Sequence, residues 1–73
     1  RKRRMKLDEK MSATDVRFLM SKIRDELDEA FNEHERMEKG IKASVPRIRK
    51  HMMNIKNLAG DVRKVAQEAK ANM

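Results

Sequence analysis

Met-Glu-Lys-Gly-Ile-Lys-Ala-Ser-Val-Pro, residues 37–46, is the stretch that decides the fold of this 73-residue chain. Gly40 supplies a flexible position between two runs of helical periodicity. Ser44-Val45-Pro46 offers an N-cap with a proline just inside the following helix, where its missing N–H does no harm. The apolar spacing also slips here to two successive steps of four, at Met37, Ile41 and Val45, as expected at a break. A proline in a first turn is compatible with one continuous rod, but glycine and slip together favour two helices folded back as a hairpin.

Working outward from that break, Val16, Met20, Ile23, Leu27, Ala30, His34, Met37 and Ile41 alternate steps of four and three, the pattern of a seam facing a partner helix. Ser12, Thr14 and Asp15 mark its start, because their side chains can accept from the unpaired N–H groups of a first turn. His34 is the one polar interruption, and a seam histidine that fixes register or pairs with a carboxylate is the reading preferred over a metal ligand. On the other side the seam resumes as Val45, Ile48, Met52, Ile55, Ala59, Val62, Ala66, Ala69 and Met73, widened by Leu58 and Val65. Phe18 falls outside the first seam and Phe31 beside it.

The expected organisation is therefore a basic arm over residues 1–11, an acidic first helix over 12–39, a turn over 40–44 and a basic second helix over 45–73. The fold class is all-α, a helical hairpin with coiled-coil-like seams. A hairpin this small covers one side of each seam, and a chain without cysteine has no disulfide to reinforce it, so pairing of two copies into a four-helix arrangement is expected.

Chemistry at a catalytic centre needs groups converging in a dry pocket, and this chain has two histidines, two glycines and no cysteine, tyrosine or tryptophan. An enzyme is not expected, nor is a cofactor or a small-molecule substrate. Glu33-His34-Glu35-Arg36 lacks a second histidine four residues away, and Asp25, Glu26, Asp28 and Glu29 lack the glycine and ligand spacing of a calcium loop. Both read as solvated helix face. No stretch approaches the roughly 18 apolar residues of a membrane span, and the basic start is not followed by a signal-peptide core.

Charge carries the functional signal. The formal net charge is +7, and it is segregated: Lys and Arg outnumber Asp and Glu six to two in residues 1–10 and nine to two in 39–73, but are outnumbered eight to four in 11–38. Lys42, Arg49, Lys56, Arg63 and Lys70 recur every seven residues, and seven residues advance about 10.5 Å along a helix, so these cations form a line. Lys50 and Lys64 broaden it, and Arg47 adds charge in the first turn. Cations in a line suit a polyanion, whose binding releases condensed counterions. The competing reading is that they cover the seam and pair with the glutamates of the acidic helix. The number of uncompensated cations favours a polyanion, with Arg1, Lys2, Arg3 and Arg4 as a mobile arm added to the helical set. No recognition helix, zinc module or aromatic platform points to base reading, so shape and charge would dominate. Double-stranded DNA is the expected partner, with structured RNA as the second choice.

Lys39-Gly40, Lys42-Ala43, Arg47-Ile48-Arg49-Lys50, Met52, Ile55-Lys56-Asn57-Leu58-Ala59, Arg63-Lys64, Gln67-Glu68 and Lys70 together resemble the linker-histone-like nucleoid proteins of bacteria, the chlamydial-type histone-like family and its short relatives. The resemblance runs from Lys39 to Lys70, and residues 1–37 carry none of it. It implies a protein that compacts DNA without marked sequence preference, with Lys42, Arg47, Arg49, Lys50, Lys56, Arg63 and Lys70 as DNA contacts. The implied location is the cytoplasm, on the nucleoid, or a virion packaged with DNA. The alternative is a structural coiled-coil subunit of a larger assembly, motivated by the long seams. A basic helix lying on an anionic membrane is weaker, because the second helix has no aromatic anchors.

Overall fold

The computed structural model describes residues 13–71, and within them the chain is two helices and no strand. The leading arm, with its basic run Arg1, Lys2, Arg3 and Arg4, lies outside the described residues, as do the proposed cap Ser12 and the last seam residue Met73. Helix α1 runs Ala13–Glu38 and α2 runs Ser44–Ala71, and the two pack side by side as a hairpin.

The turn between them follows from one residue. Gly40 has φ +88°, a left-handed conformation that costs other residues steric strain. It lets the Gly40 N–H donate to the Met37 carbonyl at 2.9 Å and the Ile41 N–H to the Arg36 carbonyl at 3.0 Å. These are the two bonds of a Schellman C-cap, which satisfies carbonyls the helix end leaves open. The chain then turns through Ser44 N–H to Ile41 carbonyl and Val45 N–H to Lys42 carbonyl, both 3.1 Å, into α2. Pro46 is its third residue, where no intrahelical N–H bond is required.

Ser44 does not cap α2. Its side chain is fully buried and its hydroxyl has no hydrogen-bond partner among the described residues.

The seam between the helices differs from the one the periodicity suggests. Along α1 the covered positions include Val16, Leu19, Ile23, Glu26, Ala30 and Glu33, of which Ala30 is buried and the others half-buried. Val16, Ile23 and Ala30 belong to the expected seam, but Leu19, Glu26 and Glu33 replace Met20, Leu27 and His34, which are exposed. Along α2 the covered set is Ser44, Ile48, His51, Asn54, Ile55, Leu58, Ala59, Val62, Val65 and Ala69, while Val45, Met52 and Ala66 are exposed. The reason is polar complementarity across the hairpin. Glu26 Oε1 accepts from His51 Nδ1 at 2.8 Å and from Asn54 Nδ2 at 3.3 Å, and Glu33 Oε1 lies 3.9 Å from Arg47 Nη1. Glu33 Oε2 is held from its own helix by Arg36 at 3.1 Å. Rotating α1 by one position would bury Met20 and Leu27, and would strand His51 and Asn54.

The displaced apolar residues lie on the surface. Among the described residues the buried apolar side chains are Ala30, Val65 and Ala69, whereas Phe18 and Phe31 are 59% and 62% exposed and Met20, Leu27, Ile41, Val45, Met52 and Met53 are also exposed. Leu27, Phe31, Met37, Val45, Ile48 and Met52, with Ala30, His34 and Arg49, line a continuous apolar groove on one face of the hairpin. His34 is thus at a groove wall rather than in the interhelical seam, with its Nδ1 3.9 Å from Glu38 one turn along. Phe18 touches neither: its ring lies under the Lys22 ammonium, 4.8 Å from Nζ to the centroid.

Candidate nucleic-acid interface

Helix α2 advances about 100° per residue, so residues separated by seven return to nearly the same side and residues two apart face opposite ways. Arg63 and Val65 illustrate this: Val65 is buried against α1 and Arg63 is exposed. The same rule turns Lys56, Arg63 and Lys70 away from α1, while Arg49 stands at the wall of the apolar groove between the helices, and all four are exposed. From Arg49 to Lys70 the line spans about 31 Å at 1.5 Å per residue.

The sequence set divides into two groups once the acidic helix is in place. Arg47 faces Glu33, and the charge of Lys50 bears on Glu26, so these two cations lean towards α1. Lys42, Arg49, Lys56, Arg63, Lys64 and Lys70 are exposed and make no ion pair with another described residue. Lys42 sits in the turn that leads into α2. Arg49 and Lys56 border a shallow surface with Ile48, Met52 and Met53, and Arg63 and Lys64 border another with Gly60, Gln67 and Glu68.

Electrostatics in the hairpin is therefore asymmetric. Of the interhelical carboxylates, Glu26 Oε1 accepts from His51 and Asn54 and Glu33 Oε2 from Arg36, while the buried Glu33 Oε1 has no hydrogen bond and only Arg47 at 3.9 Å. Hydrogen bonds from His51 and then Asn54 hold Glu26 below its ordinary value of 4.5, against the opposing effect of burial and with help from the charges of His51 and Lys50. The outward face of α2 keeps its positive charge.

Two features escaped the sequence reading. Arg17 and Arg24 lie one heptad apart on α1 and line a surface hollow with Met20 and Ser21, a spacing signal of the same kind as that on α2. Gly60 and Gln67 alternate with the cations at Lys56, Arg63 and Lys70 in steps of four and three, so they belong to the same face. Among the described residues no cluster of three or more His, Asp or Glu is placed to hold a metal ion, and no helix is long and apolar enough to cross a membrane.

The family described as histone H1-like protein Hc1 matches residues 18–72, well over half of the chain. The chain belongs to this family. Membership reaches further than the local resemblance did, because the match takes in most of α1 from Phe18 onward as well as the turn and α2. The acidic helix is thus part of the histone H1-like unit rather than an appendage to a basic segment. Comparison with curated proteins finds no match, and neither does comparison with solved structures.

Proposed function

We propose that this histone H1-like chain is a non-enzymatic, nucleoid-associated protein that binds double-stranded DNA without sequence preference, through contacts to the phosphate backbone. One observation carries the reading: the cations Lys42, Arg49, Lys56, Arg63 and Lys70 stand exposed and unpaired with any described acid, on a hairpin whose interhelical carboxylates Glu26 and Glu33 face His51, Asn54 and Arg47. Lys64 extends this surface, Arg47 and Lys50 contribute at its edge, and Arg1, Lys2, Arg3 and Arg4 add a second basic element. A line of charges about 31 Å long matches the backbone of roughly nine base pairs at 3.4 Å each. Few planar side chains are offered for stacking, which favours duplex over single strands.

Dimerisation completes the proposal. The hairpin measures 48 × 24 × 13 Å, so its thinnest dimension is about that of a single helix with its side chains. A layer one helix thick leaves both of its faces open. The groove with Leu27, Phe31, Met37, Val45, Ile48 and Met52 gathers the apolar surface on one of them. Packing two such grooves together gives the four-helix arrangement, with Arg49 at the edge of the interface and Lys56, Arg63 and Lys70 of each copy facing outward to DNA.

Fluorescence anisotropy with duplexes of unrelated sequence at increasing salt tests the function. Steep weakening with salt and equal affinity across sequences is the expected result; affinity that ignores salt refutes it.

A further inference from the structure

The middle of the basic line contains a residue that the fold itself does not require. Gly60 lies inside α2, far from either end, where glycine is among the least favourable residues for a helix. Three reasons usually explain such a glycine, and none applies within this chain. Its φ is not positive, so no special backbone conformation is needed. A Cβ built on it meets nothing within 4 Å, so no neighbouring helix presses against it. It is exposed, so it makes no room for a packed core.

Its neighbours point to an external reason. Gly60 shares the face of Lys56, Arg63, Gln67 and Lys70, and with Arg63, Lys64, Gln67 and Glu68 it lines a shallow, open hollow of the surface. Two cations and an amide stand around a strip of helix that lacks a side chain. We infer that Gly60 is the point of closest approach between α2 and the nucleic-acid backbone, a saddle in which a phosphate sits against the helix while Arg63 and Lys64 close on it from the sides. This rests on the proposed function and deepens it: the line of cations supplies attraction, and the missing Cβ lets the backbone come near enough to be gripped. Glu68, the one acid lining the hollow, lies one turn beyond Lys64, so its repulsion pushes the phosphate towards Arg63.

The inference predicts opposite orders for stability and affinity. Gly60→Ala raises the melting temperature, because alanine favours the helix and meets no obstacle, yet it weakens duplex binding. Gly60→Leu weakens binding further, by several-fold, and lowers the slope of log K against log salt by about one. Asn32→Leu, which adds apolar bulk to an exposed position of α1, off the basic helix, leaves affinity unchanged. The experiment is anisotropy of a short mixed-sequence duplex across a salt series with the full 73-residue chain and these three variants, each checked by circular dichroism melting and sedimentation. Wild-type affinity in Gly60→Leu, or an equal loss in Asn32→Leu, overturns the inference while leaving the proposed function standing. So does a Gly60 variant that changes the mass of the assembly and not its affinity, since the saddle would then seat a second copy. Absence of salt-dependent duplex binding by the wild type overturns both.

Discussion

Glu26 Oε1 stands 2.8 Å from His51 Nδ1, while Glu29 Oε1 lies 3.8 Å from His51 Nε2, so an imidazole of α2 bridges two carboxylates one turn apart on α1. Asn54 adds a third polar link to the same Glu26 oxygen. This polar clasp, in place of a larger apolar seam, sets the rotation of α1 against α2.

The clasp makes the hairpin sensitive to acid. The folded state holds Glu26 below its ordinary 4.5, chiefly through the His51 hydrogen bond and then that of Asn54. A depressed carboxyl contributes stability that is complete above the unfolded value and disappears as pH falls through the lower folded value. The melting temperature therefore falls on acidification through that window. Glu26→Gln melts lower at neutral pH and has a shallower acid limb, as measured by circular dichroism. An identical acid limb in the variant contradicts the assignment.

Ser44 gives a test at the turn. A serine serving as N-cap costs about 1 kcal/mol when replaced by alanine. The buried, unpartnered Ser44 hydroxyl predicts the opposite: Ser44→Ala is neutral or stabilising by about 1 kcal/mol, because no hydrogen bond is lost and a desolvated hydroxyl is removed. Ser44→Val overfills the same site and destabilises by about 1–3 kcal/mol. Urea denaturation of the two variants reads both effects.

Gly40 isolates a backbone requirement. A Cβ there meets nothing within 4 Å, so the cost of Gly40→Ala comes from the left-handed φ of +88° alone. The expected loss is about 1–2 kcal/mol, seen as a melting temperature lower by roughly 4–8 °C per kcal/mol. A variant as stable as the wild type would show that the turn does not depend on the C-cap.

Helical character and the fold-back near Gly40 were legible because they rest on local signals: 3–4 spacing, a glycine and a proline just inside the next helix. The rotation of each helix was not. Heptad counting selected Met20, Leu27 and His34 for being apolar or nearly so, whereas the hairpin covers Leu19, Glu26 and Glu33. A glutamate faces inward only when its partner is known, and His51, Asn54 and Arg47 are brought near by tertiary folding. The cation line was legible for the same reason as the helices, since a seven-residue spacing fixes a face whatever lies opposite. Which cations lean towards α1, Arg47 and Lys50, depended on the acidic helix and was not.

Self-association can be probed on the groove at Phe31, which belongs to α1 and not to the helix that carries the basic line. Phe31 is 62% exposed and lines the groove beside Leu27 and Met52. Phe31→Asp places a charge there, so the variant sediments as a monomer and its melting temperature no longer rises with protein concentration. A Phe31→Asp protein with the wild-type sedimentation coefficient and concentration dependence contradicts pairing through this face.

The most direct test is the salt dependence of duplex affinity in the wild type and in Arg49→Ala/Lys56→Ala/Arg63→Ala, three exposed cations with no described acid partner. If each neutralises one phosphate, the slope of log K against log salt falls by about 0.9 per cation, roughly 2.7 in all, equally for every duplex sequence. An unchanged slope in a folded triple variant would show that DNA, if bound, is held elsewhere than on the outward face of α2.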